Sequence, residues 1–366
     1  MKVVAYLHPS RCLEPCGGVG RHANSLVRRL AARPGVDLSL LMSRRILGPD
    51  GTPPNNFPLA DLPRTTLFLD ERRFEKVLRL SGWPAVDRFG PAADWYYSPM
   101  ETPMPVRRGT CAAVTVHDIH PYETSLPWSH TAAHKRTRRS WDLWLPRLLR
   151  QADRILTVSH YSKDRMVALL GANPDKVVVV GNGVEDAFFD RGARPADKVD
   201  EIVVLGGLRY KKGADHVLDV AQALARRGSP LRVVVIGQNE APYLARVRDM
   251  TNIEIHGMLP DDAVIERMAR ARAVMLLSLY EGFGMPPLEG MACGTVAVVS
   301  NIASLPEVVG DAGLVMDHTR PDEIAATLDQ LRTDTTWHDE LVARGRTHVQ
   351  AWRWDRCTDR LVEALS

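Results

Sequence analysis

Glu281 and Glu289 bracket seven residues in the segment Ser278-Leu279-Tyr280-Glu281-Gly282-Phe283-Gly284-Met285-Pro286-Pro287-Leu288-Glu289. Two glycines and two prolines intervene, so the carboxylates cannot share one helix. Proline is at home in a first helical turn, where its missing N–H would go unpaired anyway. The spacing therefore puts Glu281 in a loop and Glu289 in the first turn of the next helix. Between them, the amides of Gly282, Phe283, Gly284 and Met285 form an anion-binding concavity. Carboxylates accept hydrogen bonds from vicinal sugar hydroxyls. Amides on phosphate, with one Glu on each flanking sugar, suit a nucleotide sugar. Carboxylates serving a helix dipole would account for Glu289 but not for Glu281 or the glycines.

Three further groups have types and places that can do chemistry. Arg209, Lys211 and Lys212 follow Gly206-Gly207 at the end of an apolar run. Cations there suit a diphosphate; the alternative is a solvated face. His117-Asp118 follows the apolar run Ala112–Val116. His117 can donate to a sugar hydroxyl or a carbonyl, or be a structural histidine held by Asp118. Gly17-Gly18-Val19-Gly20 precedes a helical pattern. It admits close backbone approach and a helix N-terminus facing an anion, or is a flexible turn. It is not G-x-G-x-x-G, so the dinucleotide fingerprint is missing and a nicotinamide oxidoreductase is disfavoured. No Asp-x-Asp occurs, and no bound divalent metal or other cofactor is expected.

Short apolar runs alternate with amphipathic segments and must position these residues. Strands are expected at Val3–Leu7, Val36–Leu41, Ala112–Val116, Ile155–Val158, Val177–Val180, Ile202–Leu205, Leu231–Ile236, Ile253–His256, Ala273–Leu277 and Val296–Ser300. Helices are expected after Gly17–Gly20 and at His216–Arg226, Ala263–Ala271 and Pro287–Cys293. Continuous β-branched runs indicate parallel strands covered on both faces. The alternation predicts two doubly wound α/β domains, with the site beyond the carboxyl ends of the strands, in the cleft between the domains. A chain of 366 residues agrees with two domains. The Arg/Gly/Ala/Pro/Asp/Lys-rich stretch Asp190–Asp200 reads as the linker. Asn55–Ala93 is Pro-rich and irregular, and no element is assigned to it.

Composition excludes several classes. Lys and Arg number 47 against 44 Asp and Glu, too balanced for a general nucleic-acid binder. Hydrophobic residues make up 45% and charged residues 25%, as in ordinary globular chains. Five cysteines do not build a disulfide framework. Cys12 and Cys16 have no second Cys/His pair to complete a zinc site, and reduced thiols in a cytosolic protein are expected. No apolar run reaches the ~20 residues of a membrane span. Met1–Leu7 is too short for a signal-peptide core and reads as a first buried strand.

Taken as a set, these motifs resemble the retaining glycosyltransferases of family four, the group 1 glycosyl transferases with the GT-B fold. The resemblance spans nearly the whole chain. It includes Gly17-Gly18, His117-Asp118, Val158-Ser159, Asn182-Gly183-Val184, Lys212-Gly213, Glu281-Gly282-Phe283-Gly284 through Glu289, Gly290-Met291-Ala292-Cys293-Gly294 and Leu305-Pro306-Glu307. It implies two Rossmann-like domains. Residues 1–190 would bind the acceptor and residues 200–349 the nucleotide sugar, with a C-terminal helix at about 350–366 crossing back to the N-terminal domain. It implies Glu289 on the ribose and Glu281 near the donor sugar, with Phe283 and Gly284 amides close to the sugar hydroxyls. His117 would contact the donor sugar, Gly18 would let the N-terminal domain approach the phosphates, and His256-Gly257-Met258 would hold the base through backbone groups. Lys212 and a nearby Arg would neutralise the diphosphate. The family pattern places that Arg about five residues before the Lys. Here Arg209 precedes Lys212 by three with Lys211 between, so Arg209 or Lys211 takes the part.

The implied reaction is metal-independent, retaining transfer of a mannose- or glucose-type hexose from a GDP- or UDP-linked donor to a sugar, glycolipid or small-molecule hydroxyl. Rival readings are a nucleotide-sugar epimerase, a phosphorylase, and a nucleotide-sugar-binding protein without chemistry. The acceptor would be chosen within Asn55–Thr110. Lys135–Arg150 carries Trp141, Trp144, Leu145 and Leu148 at helical spacing beside Arg138 and Arg139. Such a stripe packs into the domain, or lies on an anionic membrane and adds a peripheral inner-face location to the cytoplasmic one.

Overall fold

The computed structural model describes residues 1–67, 70–194 and 196–366. The chain forms two compact units, Met1–Gly183 with Trp354–Ser366, and Val184–Arg353. The first holds strands β1 (Lys2–Leu7), β2 (Asp37–Ser43), β3 (Arg64–Leu67), β4 (Trp95–Ser98), β5 (Cys111–Val116), β6 (Arg154–Thr157) and β7 (Val177–Val179). They lie in the order β3-β2-β1-β4-β5-β6-β7. The second holds β8 (Val199–Leu205), β9 (Arg232–Ile236), β10 (Ile253–His256), β11 (Ala271–Leu276), β12 (Val296–Ser300) and β13 (Leu314–Met316), in the order β10-β9-β8-β11-β12-β13. All these pairings are parallel. Both units are thus doubly wound, as expected, with topological switch points at β1/β4 and β8/β11, where such sheets open a ligand crevice.

The apolar runs become central strands because both faces are covered. Val3 to Leu7 and Val233 to Val235 are buried throughout. The helix Gly18–Ala31 buries Ala23, Leu26, Val27 and Leu30 on one sheet, and Ala214–Arg226 buries Val217, Leu218, Ala221 and Leu224 on the other. At roughly 25 cal/mol per Å² of apolar surface, this burial is the main stabilising contribution in each unit.

Several boundaries differ from the sequence reading. The first unit ends at Gly183. Asp190–Asp200 contains the end of the helix Asp186–Gly192 and the start of β8, while Pro195 lies outside the described residues. Its polar composition hides that Phe188 and Phe189, just upstream, are buried. The chain rejoins the first unit at Trp354. Within the second unit, Trp352 packs its ring on Phe283, centroids 5.1 Å apart. Asn55–Ala93 holds β3 and the helix Glu71–Ser81; Phe68 and Leu69 lie outside the described residues.

Lys135–Arg150 is not one helix. Ala132–Asp142 ends, and Leu145–Gln151 begins with Pro146 in its first turn. Trp144, Leu145 and Leu148 are buried with Ile155 and Met166, so the apolar stripe is core rather than a membrane-facing surface. No disulfide links the five cysteines. Among the described residues, no helix is long and apolar enough to cross a membrane.

Candidate functional site

In the second unit, the residues singled out by type and spacing converge on loops at the carboxyl ends of β8 and β11. The turn after β8 runs through Gly206 and Gly207 to Arg209 and a 3-10 turn, Tyr210–Lys212. Gly213 follows at φ +73°, and a Cβ there would stand 1.9 Å from the Leu277 carbonyl oxygen. Only glycine satisfies both conditions, and the contact presses this turn against the end of β11. The Leu279 N–H donates to the Lys211 carbonyl at 3.1 Å, tying the two loops again.

Lys212 and Glu281 consequently meet. Lys212 Nζ donates to Glu281 Oε1 at 2.6 Å, and the Ser278 hydroxyl donates to the same oxygen at 2.6 Å. Arg209 turns its Nε to the Gly206 carbonyl at 3.0 Å and makes no ion pair among the described residues. Lys211 is exposed, whereas Arg209 is half-buried beside the turn. A carboxylate, a held guanidinium and an ammonium thus share one loop cluster.

The helix after this loop spans Met285–Ala292 and starts two residues earlier than its composition suggests. Pro286 and Pro287 fill its second and third positions, where no N–H is needed. Glu289 therefore lies in the second turn, not the first, and is buried. Gly284 precedes the helix at φ +96°, and a Cβ there would press on Leu305 Cδ2 at 2.5 Å. The N–H groups of Phe283 and Gly284 make no hydrogen bond among the described residues. The prolines bring no N–H, so the loop amides are what this end offers an anion. The Phe283 side chain itself is buried against Trp352.

Two supporting residues had escaped notice in the sequence. Ser304 is fully buried and donates to the carbonyls of Glu281 and Phe283 at 3.0 and 2.9 Å, fixing the loop's path. Asn239 accepts from the Leu208 N–H at 2.7 Å and donates to the carbonyls of Gly237 and His256. It clamps the loops after β8, β9 and β10 together. A lone Ser or Asn in a loop carries no periodic signal, which is why both were missed. His256 turns its Nε2 to Glu254 Oε1 at 2.5 Å, Gly257 accepts from the Gly237 N–H at 3.1 Å, and Met258 is 71% exposed. That loop therefore offers backbone rather than side-chain chemistry.

In the first unit, His117 comes directly off β5 and is buried. Its Nε2 lies 3.2 Å from the Pro99 carbonyl oxygen, and its backbone N–H donates to Glu101 Oε1 at 2.5 Å. Asp118 does not hold it: Asp118 Oδ1 takes both the backbone N–H and Nδ1 of His120, at 2.9 and 2.8 Å. Burial raises the Asp118 pKa, but these bonds outweigh it and hold the carboxyl below its usual range. Gly17 caps the helix Gly18–Ala31 without any side-chain hydrogen bond. Among the described residues, no group of three or more His, Cys, Asp or Glu is arranged to hold a metal ion.

Two family models match the chain, "Glycosyltransferase Family 4" over residues 16–188 and "Glycosyl transferases group 1" over residues 176–348. Over its whole length the chain is 29% identical to the O-antigen chain mannosyltransferase B of Escherichia coli, covering 99% of that protein. A sucrose-phosphate synthase structure from Thermosynechococcus elongatus superposes with a TM-score of 0.73 at 16% identity, over 99% of this chain and 98% of that one. Anabaena HepE, solved with UDP and glucose, superposes with a TM-score of 0.68 at 14% identity, over 100% and 99%. These last two likenesses are likenesses of fold.

Proposed function

The chain belongs to the group 1 glycosyl transferases of family 4, and from that premise we propose that it transfers mannose from GDP-mannose to an acceptor hydroxyl with retention of anomeric configuration. The observation that carries this reading is the cluster at the ends of β8 and β11. Lys212 is held on Glu281, Arg209 has no ion-pair partner among the described residues, and two loop N–H groups beside them make no bond. The set matches a diphosphate leaving group with a sugar attached. The whole-length likeness to a mannosyltransferase supports the hexose.

In the reaction, the bond from sugar C1 to the β-phosphate oxygen breaks. A bond from C1 to the acceptor oxygen forms on the same face, and the acceptor proton passes to the departing diphosphate. Lys212, Arg209 and the Phe283 and Gly284 amides stabilise the charge that grows on phosphate. No bound metal is required for that. Arg209, anchored through Nε to the Gly206 carbonyl, takes the part of the usual arginine in preference to Lys211. Glu281 and Glu289 accept from sugar and ribose hydroxyls, and His117 Nδ1 contacts the donor sugar. The acceptor binds the first unit, where Asn55–Thr110 selects it.

The apolar side chains Val77, Leu80, Trp83 and Leu143 are exposed, and Arg72, Arg73 and Lys76 are exposed on the helix of the first two. Peripheral contact with anionic lipid belongs to that helix rather than to the Trp144 stripe. Absence of retention on anionic liposomes at low salt would remove it.

The deciding experiment is thermal melting with GDP, UDP, ADP, dTDP and their sugars, with and without EDTA. A ligand at 100 times its Kd adds about 2.7 kcal/mol. A shift with GDP-mannose that survives EDTA and disappears in Glu289→Ala is expected. No shift with any nucleotide overturns the donor site and moves a phosphorylase or a non-catalytic scaffold ahead.

A further inference from the structure

His22 lies on the helix Gly18–Ala31, is fully enclosed, and takes no part in the reaction as described so far. Its Nδ1 is 2.6 Å from Asn182 Oδ1. An amide oxygen only accepts, so Nδ1 carries the ring hydrogen. Burial, and then the neighbouring His117, lower its pKa well below the usual value, so the ring is neutral. Nε2 is then a lone pair, and it is sealed from solvent with no hydrogen-bond partner among the described residues. Leaving a buried acceptor without a partner carries a desolvation cost. An apolar side chain would fill a purely structural position without that cost.

The neighbour that gives His22 a purpose is His117. Their ring centroids are 4.5 Å apart with planes at 79°, while Trp354 closes another side of His22 at 5.9 Å. We propose that His22 is a positioning residue that acts through His117, fixing its ring so that Nδ1 is the atom presented to the donor sugar. This rests on His117 being the donor-sugar contact.

His117 Nε2 faces a carbonyl oxygen, so it carries the hydrogen and Nδ1 keeps the lone pair. The Glu101 bond fixes its backbone. Those two ties leave the tilt of the ring open, and the edge-to-face packing on His22 closes it. His117 faces Glu101, Asp118 and His22, and Asp118 is engaged by His120. His22 faces His117, with Asn182 and Trp354 as neutral walls. A neutral His22 puts no like charge against His117 when Nδ1 engages a hydroxyl or takes up positive character.

The test uses the full chain with two substitutions. His22→Asn keeps an N–H toward Asn182, because the side-chain amide nitrogen falls near the Nδ1 position, but it removes the ring. His22→Gln instead places an amide at the Nε2 position. Both kcat and donor KM are measured with GDP-mannose and UDP-glucose, and histidine nitrogen NMR reads the His117 ring nitrogens.

In His22→Asn, kcat is expected to fall about tenfold, the low end for losing a supporting partner. The donor KM should stay within about twofold. His117 should keep its Nε2 hydrogen, because the Pro99 carbonyl holds it, while its ring nitrogen signals broaden or shift, and His22→Gln, which also lacks the ring, should not restore kcat. An unchanged kcat with unchanged His117 ring nitrogen signals overturns the proposal. Turnover of neither donor by the unsubstituted chain overturns the transferase reading instead, and the nitrogen spectrum still decides the coupling of the two histidines. Should His22→Asn not fold, His22→Gln gives the same readouts.

Discussion

Lys212 Nζ donates to Glu281 Oε1 across 2.6 Å, joining the turn after β8 to the loop after β11. The same oxygen also takes the Ser278 hydroxyl, so Glu281 is fixed on its own loop before it meets the lysine. The lysine, 28% exposed in its side chain against 14% for the glutamate, is thus held in advance on the loop that carries the Phe283 and Gly284 amides. Little reorganisation is left for a bound diphosphate to impose.

Lys212→Met and Glu281→Gln should therefore separate. Lys212→Met removes a charge that works on the leaving group, so kcat should drop by about 100-fold or more. Glu281→Gln leaves the lysine in place, so GDP affinity should hold while sugar-dependent turnover falls. Each single change should cost about 1 kcal/mol of stability, between the exposed and buried ion-pair limits. Titration calorimetry with GDP, together with donor turnover, reads both effects. Equal loss of GDP binding in the two variants would refute the division of labour.

Glu289→Gln should weaken nucleotide binding about 10- to 100-fold, the worth of a charge-assisted hydrogen bond. Glu289 is buried in the second turn of Met285–Ala292, and Gln is close in shape, so the melting temperature of the unliganded chain should move little. Calorimetry with GDP and UDP decides. An unchanged Kd for both would take Glu289 out of the donor site.

The residues with chemistry were legible because their loops follow strands, and strands made of continuous β-branched runs announce themselves. Ile253–His256 and Val296–Ser300 match the observed β10 and β12 residue for residue. β3, whose Thr65 and Thr66 are polar, β4, which is Trp-Tyr-Tyr-Ser, and β13, with three residues, lack apolar β-branched runs and are not legible as strands. Leu145 and Leu148 did announce a helix, but Pro146 starts a new one rather than continuing the old. His22 was invisible for a different reason. A histidine beside arginines on an amphipathic helix reads as surface, and only the arrival of Asn182 and Trp354, 160 and 332 positions later, buries it.

Trp144 and Trp83 should behave oppositely. Trp144→Ala opens the core that holds Leu145, Ile155 and Met166 and should cost about 3–5 kcal/mol. Trp83 is 63% exposed, so Trp83→Ala should leave the melt within about 0.5 kcal/mol. The same variant should weaken retention on anionic liposomes. Loss of retention in a Trp144 variant that still melts like the parent would return the lipid contact to the stripe.

Gly213→Ala should destabilise the second unit by about 1–3 kcal/mol, since φ +73° is strained for alanine and the added carbon meets the Leu277 carbonyl. Because the contact aims Lys212, donor turnover should fall further than stability alone accounts for. Calorimetric melting and turnover at a temperature well below the transition separate the two losses.

Stability should fall as pH drops below neutrality, and His22 should carry a definable share. Its folded pKa is lowered, first by burial and then by His117, while the unfolded value is the ordinary 6.5. Well above pH 6.5 neither state binds the proton, and the full stability is present. As pH falls through 6.5 toward the depressed folded value, the unfolded chain takes up a proton that the folded chain refuses. Stability then declines by up to about 1.4 kcal/mol per pH unit for each such site. His318 and His338 are also lowered, chiefly by burial, and add slopes of the same sign in the second unit. His22→Asn should therefore flatten the dependence by about one proton, and only in the transition of the first unit. Denaturant titrations of both chains between pH 8 and 5 measure that difference; parallel curves would mean that His22 is protonated in the native fold.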